Sequence, residues 1–399
     1  ARWAAAIILL FLAIFAANYV MYKLPNAQTP GNDEMAFNYY AAYLFLHGQN
    51  PYSASMMPAL NAMKVIPTFS MGGGIESKYL YPPLSFLIFT FMPLLGVSSF
   101  IIFLELIVAV AIIAAFAVFY KSRFKNKMLI PIAVWLFIVF YFGGSTISYV
   151  SASLFLLFAY ISKEKPLASG IFIGLAAATS QISWLMLPFF YIYLAKTQRK
   201  AQAAKNLLAA LLVFIILNAY FIFTSTAALG SIVGILGYST SKLVPQGISI
   251  MQILIPFYPV ALWYVAASML VMLSLMLLLF YLYPKELKPM LFISPIVLFI
   301  FSLKSAFVYY TTFMPILLLI MYEGEKEEFS PATRNRKILA YFASIVAVLL
   351  LLLLAVYAHA AYASNKLLII NSVKPALIQQ SSIYGNYTKL NAISVNVTN

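Results

Sequence analysis

The segment KEKPLASGIFIGLAAATSQISWLMLPFFYIYLAKTQRK, residues 163–200, is a long apolar run with basic residues at both ends. Its apolar part, 167–195, has about 29 residues. A single helix of that length would rise about 43 Å, whereas the core of a bilayer needs only about 30 Å. We therefore predict two short helices divided at Thr179–Gln181, with both basic ends on one side of a membrane.

Similar apolar runs recur along the whole chain of 399 residues, which is 64% hydrophobic and only 9% charged. Soluble domains carry about a quarter charged residues, so the composition indicates a polytopic membrane protein. The runs are too long for the strands of an outer-membrane barrel, and we predict an all-α fold. About eleven transmembrane helices are expected near 3–22, 99–120, 128–143, 147–162, 167–180, 182–195, 206–224, 253–283, 289–303, 305–322 and 338–360.

The basic residues predict the orientation of these spans. Seventeen of the 25 fall on one side, which the positive-inside rule makes cytoplasmic. The N-terminus is then cytoplasmic and the C-terminus extracytoplasmic in an integral, multi-pass plasma-membrane protein. The transmembrane domain is predicted to cover 1–362, with outer loops at 23–98 and 225–252. The run 81–97, which begins with a proline pair, is predicted not to cross the membrane and to form juxtamembrane helices or a re-entrant segment. Because the net charge of +15 marks cytoplasmic loops, it does not indicate a nucleic-acid partner.

The polar tail, 363–399, follows the last predicted span on the outer side. It contains two Asn-X-Thr acceptor sites for glycosylation, at Asn386 and Asn396. The tail either forms a small strand-like appendage or remains unpacked.

Metal and redox chemistry has little support in the composition. Cysteine is absent and there are two histidines, His47 and His359, far apart in the chain. A thiolate or histidine-based metal site and a Ser-His triad are therefore not expected. No cofactor is required: the Asp33–Glu34 pair could bind a divalent cation weakly, but the sequence shows no further converging ligand.

Ten acidic residues can be sorted by their predicted position. Six lie in cytoplasmic loops beside lysine or arginine and are interpreted as solvated charges: Glu164, Glu286, Glu323, Glu325, Glu327 and Glu328. The other four are Asp33, Glu34, Glu76 and Glu105. Glu105 lies within a predicted span, where a carboxylate either lines a cavity or makes a structural hydrogen bond.

The acidic pair Asp33–Glu34 directly follows the first predicted span. The pattern predicts a helix that begins at Glu34, capped by Asn32 or Asp33, and ends at HGQNPY. Apolar residues spaced as on one helix face, from Phe37 to Phe45, predict that this helix lies on the membrane surface. Taken alone, the pair is most simply a helix cap.

An acidic pair in the first outer loop, the helix YYAAYLFLHGQNPY and the segment YPPL leading to FMPLLG resemble the GT-C glycosyltransferases. The nearest likeness is to the branch of mannosyltransferases that use polyprenol-phosphate-mannose. The segment 163–200 and LKSAFVYYTTFMPILLL, residues 303–319, also resemble that branch. Where relatives carry a basic residue after GLAA, this chain has Ser180 and Gln181, and Gln181 is a substrate-binding candidate.

The resemblance implies transfer of mannose or another hexose from a polyprenyl- or dolichyl-phosphate donor to a lipid- or protein-linked glycan acceptor. A lipid phosphate leaves readily, so one basic carboxylate and one cation would suffice for a single inverting displacement. The resemblance places the base on Asp33, with Glu34 as a helper or alternate. The donor-phosphate candidates are Lys78, Lys242 and Lys304. The remaining substrate-binding candidates are Tyr39, Tyr40, Glu76, Tyr79, Tyr81 and Glu105.

Two other classes remain open from the sequence. A non-catalytic membrane subunit of a cell-envelope assembly would have nearly the same pattern. A transporter would need polar residues at mid-membrane and matching broken helices in two halves. Only Glu105 and the break at Thr179–Gln181 fit a transporter, and neither has a symmetric counterpart.

Overall fold

The computed structural model describes the regular core of the chain and part of its loops. The described residues are 33–63, 65, 67–70, 74–94, 147–241, 246–247, 249–257, 261, 263–284, 286–305, 334–364, 369–382 and 385–398. The spans predicted near 3–22, 99–120, 128–143 and 305–322 lie outside them.

The described residues are mostly helical. The helices are α1 Asp33–Leu46, α2 Met57–Met63, α3 Leu84–Leu87, α4 Phe91–Leu94, α5 Ile147–Ile161, α6 Pro166–Thr179, α7 Ile182–Thr197, α8 Lys200–Thr224, α9 Thr226–Ser241, α10 Ile250–Phe257, α11 Trp263–Leu282, α12 Met290–Phe299 and α13 Arg334–Ser364, with one 3₁₀ turn at Pro51–Ser53. The strands are β1 Gln246–Gly247, β2 Lys304–Ser305, β3 Ile369–Ser382 and β4 Gly385–Thr398. β1 pairs in parallel with β2, and β3 pairs antiparallel with β4.

Three of the described helices are long and apolar enough to cross a membrane. They are α8, α11 and the part of α13 from Lys337 to Ala361. Shorter apolar helices lie within α5, α6 and α7. The membrane character predicted from composition is therefore present in the described part of the chain.

The predicted division of the segment 163–200 is confirmed. α6 ends at Thr179, Ser180 is extended with φ −152° and ψ 136°, and α7 begins at Ile182. The run 253–283 was predicted as one span, but the structure has α10 ending at Phe257 and α11 beginning at Trp263. Pro259 follows α10 closely, and a proline removes a backbone donor from a helix.

Helices α5 to α8 form the packed part of the bundle, and two glycines allow the closest approach. A Cβ on Gly170 would lie 2.2 Å from the carbonyl oxygen of Asn206. A Cβ on Gly174 would lie 2.6 Å from the carbonyl oxygen of Ala210. The two glycines are four residues apart on one face of α6, so they let its backbone touch that of α8.

The segment predicted as the first outer loop, 23–98, packs more deeply in its described part than the sequence indicates. α1 was predicted to lie on the membrane surface. In the structure, eight of its 14 residues are buried and only Tyr43 is exposed. The helix is therefore enclosed by protein, and the prediction of an amphipathic surface helix is wrong. The reason is tertiary: α1 packs against α2, α3, α4 and the 3₁₀ turn. Gly48, at φ 73°, ends the helix in the left-handed conformation that glycine adopts readily.

Two further regions differ from the predicted loops. Most of the segment predicted as the second outer loop, 225–252, is helix α9. The tail is not helical: β3 and β4 form a long hairpin, which corresponds to the strand-like alternative.

Candidate functional site

Helix α1 begins with the two carboxylates, where acidic groups complement the positive end of the helix dipole. The hydroxyl of Thr68 donates a hydrogen bond to Oδ2 of Asp33. The hydroxyl of Ser148, at the start of α5, donates one to Oε1 of Glu34. Asp33 is half-buried, whereas Glu34 is only 3% exposed. The two neighbours therefore have different access to a ligand, and Asp33 is the more accessible.

A second polar group lies one turn further along α1. Asn38 is fully buried, and its Oδ1 accepts a hydrogen bond of 2.5 Å from the hydroxyl of Tyr79. The same hydroxyl is hydrogen-bonded to Ser85. Burial raises the pKa of Tyr79 well above 10.0, Ser85 opposes this, and the charge of Glu34 adds to the rise. The Tyr79 hydroxyl therefore keeps its proton and remains a hydrogen-bond donor.

A hydrogen-bonded chain leads from Asp33 towards Lys78. Thr68, which donates to Asp33, accepts a hydrogen bond of 2.9 Å at its carbonyl oxygen from the backbone of Glu76. Oε1 of Glu76 accepts one of 2.9 Å from the backbone of Lys78. Glu76 is 7% exposed, and its Oε2 has no hydrogen-bond partner within the described residues. The Lys78 side chain is exposed at the end of this chain.

A cleft of about 880 Å³ opens beside Lys78, between the segments 52–55 and 77–80 on one side and the start of α9 on the other. Its walls are lined by hydroxyl-bearing or small residues, together with Lys78, Tyr52 and Leu80. The hydroxyls belong to Ser53, Ser55, Ser77, Thr224, Ser225, Thr226 and Ser231. One cation among many hydroxyls is suited to a ligand with a phosphate and a polar, uncharged body.

Two polar side chains fasten the walls of this cleft. The amide nitrogen of Gln181 donates to the carbonyl oxygens of Leu80, at 2.6 Å, and Ile232, at 3.0 Å. The amide nitrogen of Asn50 donates to Thr224 at 2.7 Å, at the end of α8. Gln181 thus joins the segment that contains Leu80 to α9, and its amide nitrogen is engaged by the protein itself.

The other predicted site residues are more scattered. Tyr39 and Tyr40 are half-buried on α1, and the ring of Tyr81 packs edge-on against that of Tyr79 at 5.8 Å. Lys304 lies in β2, and its backbone pairs with Gln246. Lys242 and Glu105 lie outside the described residues.

Asn386 and Asn396 both lie in β4, opposite Ser381 and Ser372 of β3. Among the described residues, histidine, aspartate and glutamate form no group of three that could hold a metal ion.

Sequence reasoning missed the partners of the acidic residues. Thr68, Ser148 and Asn38 were not singled out, and Ser148 is 114 residues from Glu34 in the chain. The spacing of Glu34 and Asn38, one helical turn apart, was the one local signal available.

Comparison of the chain with protein-family models, with curated proteins and with solved structures gives no match.

Proposed function

We propose that this protein is a membrane glycosyltransferase of the GT-C type. In this proposal a sugar moves from a polyprenyl-phosphate donor to a lipid- or protein-linked glycan acceptor. The observation that carries the proposal is the hydrogen-bonded chain from the carboxylate of Asp33, through Thr68 and Glu76, to the hydroxyl-lined cleft at Lys78.

The roles follow from access and charge. Asp33 is the base, because it is the more exposed of the two carboxylates, and Thr68 fixes the orientation of its carboxylate. Glu34 is a positioning residue, since it is buried and held by Ser148. Lys78 offsets the negative charge of the lipid phosphate, and the hydroxyls of the cleft bind the sugar.

The proposed reaction is a single displacement. Asp33 accepts the proton of the acceptor hydroxyl, and that oxygen forms a bond to the anomeric carbon of the sugar. The bond between the anomeric carbon and the phosphate oxygen breaks, and the lipid phosphate leaves with the electron pair. The anomeric configuration inverts because one attack occurs from the opposite face.

The proposal includes the eleven-span topology, with the site on the extracytoplasmic side. The contact of Glu34, in the segment predicted to be outside, with Ser148 at the start of α5 supports this topology. Lys163, which is predicted to be cytoplasmic, follows the opposite end of the same helix. Cysteine substitutions at positions 124 and 239 should be labelled from opposite sides of the membrane. Labelling from the same side would overturn this topology.

The function is tested in cells that lack the protein. We expect one sugar to be lost from lipid-linked or protein-linked glycans and to be restored by the wild type. Asp33→Asn should lower transfer in isolated membranes by about 100-fold or more, because general-base catalysis contributes at least that factor. The control Glu164→Gln, at an exposed acid beyond the far end of α5, should restore transfer fully.

Equal abundance of the variants in membranes shows that each of them folds. Full activity of Asp33→Asn would remove the base assignment. An unchanged glycan profile in cells without the protein would contradict glycosyl transfer and would favour a non-catalytic membrane subunit.

A further inference from the structure

Two lysines from different parts of the chain converge beyond the far end of α5. The Nζ of Lys163 lies 3.4 Å from the hydroxyl oxygens of both Tyr160 and Tyr193. The same nitrogen is 4.4 Å from the centre of the Tyr160 ring. The Nζ of Lys288, just before α12, is 5.8 Å from the centre of the Tyr160 ring and 5.6 Å from that of Tyr193. Two ammonium groups therefore share one pair of aromatic rings; these four residues are called the lysine–tyrosine cluster.

The rings restrict the lysines before any ligand arrives. Tyr160 and Tyr193 are each 1% exposed and belong to the core, so their positions are fixed by packing. Both lysine side chains are half-buried against them. A cation within about 6 Å of a ring centre is attracted to it. The rings therefore already restrict the lysine side chains, so these side chains lose less conformational entropy when a ligand binds.

The surrounding charge is strongly positive. The described residues at this end of the bundle carry seven basic side chains: Lys163, Lys165, Lys196, Arg199, Lys200, Lys205 and Lys288. The acidic side chains are two, Glu164 and Glu286, both exposed. Among these described residues, the basic side chains outnumber the acidic ones by five. This local excess of positive charge favours an anionic ligand.

Exposed apolar side chains lie on α6, which begins three residues after Lys163, and on α8, which packs against α6. Leu167 and Ile171, one turn apart on α6, are 60% and 43% exposed. Leu208 and Leu212, one turn apart on α8, are 60% and 50% exposed. α6 begins within three residues of Lys163, so an anion bound there could carry acyl chains along these helices. This combination favours a lipid over a soluble anion.

We propose that the lysine–tyrosine cluster binds the phosphate of an anionic membrane phospholipid. Basic pockets between transmembrane helices are suited to such headgroups. The phosphate contacts the ammonium groups of Lys163 and Lys288, and the acyl chains lie against α6 and α8. The inference does not depend on the proposed sugar transfer, because it concerns the opposite end of α5 and needs only a membrane-embedded bundle.

Lipid binding to the purified full-length protein in detergent tests the proposal. The probes are phosphatidylglycerol, phosphatidylcholine and inorganic phosphate, and the readout is native mass spectrometry of bound lipid in a titration. We expect phosphatidylglycerol to bind and phosphatidylcholine to bind weakly. The double variant Lys163→Gln/Lys288→Gln should weaken the binding of phosphatidylglycerol by about 30-fold, from two lysine contacts near a membrane surface.

The matched control is Lys200→Gln/Lys337→Gln, which removes the same charge from two exposed positions outside the cluster. At about 0.15 M salt, exposed charges are largely screened, so binding should change by less than about threefold. Lys163→Arg/Lys288→Arg keeps both charges and should retain binding, which separates loss of charge from loss of the fold.

Three results would overturn the proposal. Equal binding by the wild type and Lys163→Gln/Lys288→Gln would place the lipid elsewhere. Equal losses in this variant and in the control would reduce the effect to net charge. Displacement of phosphatidylglycerol by inorganic phosphate at similar concentration would show that the site takes a soluble anion and not a lipid.

Discussion

The two ends of helix α5 differ in how they hold charge. At its start, Glu34 is buried and accepts a hydrogen bond from Ser148, and its charge acts on the buried Tyr79, whose hydroxyl donates to Asn38. α5 has 15 residues and is therefore about 22 Å long. Beyond its other end, the half-buried Lys163 lies over the ring of Tyr160. At the first end the charged group is buried and makes a short hydrogen bond. At the second end the charged groups are partly exposed and their contacts are longer.

This difference matters because buried charges and open charges have different energetic consequences. Loss of a partner from a buried carboxylate leaves that group desolvated, which is costly. Loss of a long contact at a half-exposed ammonium is compensated by water or lipid. The carboxylate end should therefore be sensitive to single substitutions, and the lysine end tolerant of them. Four substitutions test this, in order of expected effect.

The largest loss is expected at the close contact between α6 and α8, which serves as a reference for the effects at the two ends of α5. Gly174→Leu would place its Cβ 2.6 Å from the backbone carbonyl of Ala210, which cannot move without shifting α8. We expect a loss of about 3 kcal/mol, measured by reversible unfolding in mixed detergent. In Gly230→Ala the added Cβ meets no atom within 4 Å, so the change should stay within about 1 kcal/mol. Equal unfolding midpoints for the two variants would contradict the close approach of α6 and α8.

The next loss is expected at the buried carboxylate. Ser148→Ala removes a hydroxyl donor from Glu34 and should cost about 2 kcal/mol, because hydrogen bonds to charged groups are the stronger ones. The control Ser53→Ala removes a hydrogen bond of 2.8 Å between two neutral hydroxyls and should cost less than about 1 kcal/mol. A double-mutant cycle with Glu34→Gln measures the coupling. A coupling of zero would mean that the two side chains act independently.

A smaller loss, with a pH signature, is expected for Tyr79→Phe. Removing the hydroxyl breaks its bonds to Asn38 and Ser85 and should cost about 1 kcal/mol at pH 8. The pKa of Tyr79 is raised by folding, so the folded state holds a proton that the unfolded chain releases above pH 10.0. Wild-type stability should therefore fall as the pH rises beyond about 10, and the fall should be shallower in Tyr79→Phe.

Both effects are measured as thermal unfolding midpoints from about pH 8 to about pH 11, at intervals of about one pH unit. The control Tyr43→Phe, at the exposed tyrosine of α1, should leave the midpoint and its pH dependence unchanged. Identical pH profiles for the wild type and Tyr79→Phe would show that the raised pKa makes no contribution.

The smallest loss is expected at the lysine end. Tyr193→Phe removes a hydroxyl that accepts a 3.4 Å hydrogen bond from Lys163 but keeps the ring beneath the two ammonium groups. The free energy of unfolding should change by less than about 0.5 kcal/mol, because the attraction between the ammonium groups and the ring remains. A loss as large as that of Tyr79→Phe would remove the contrast between the two ends.

The helix break at Thr179–Gln181 was predictable because it follows from length alone. A bilayer limits how far a helix rises, and the run 167–195 exceeds that limit. The start of α1 was also predictable, within one residue, from the acidic pair that begins it. The lateral packing of α1 was not, because a helix covered on nearly all sides has no single apolar face for periodicity to detect.

The candidate site was predictable mainly at its ionisable residues. Few acids lie outside the basic loops, so elimination left Asp33, Glu34, Glu76 and Glu105, of which Glu105 lies outside the described residues. Their partners are hydroxyls and amides, which are common residues with no distinguishing pattern. The contacts between Glu34 and Ser148, and between Gln181 and Leu80, join residues more than 100 positions apart in the chain. Only the three-dimensional arrangement reveals them.

Gln181 couples two segments that are distant from it in the sequence. Its amide nitrogen donates both to the carbonyl oxygen of Leu80, 101 positions away, and to that of Ile232, 51 positions away. The two segments cannot separate at this point unless one of these hydrogen bonds breaks. A substitution at this single position would therefore release both segments at once, although neither of them contains the changed residue.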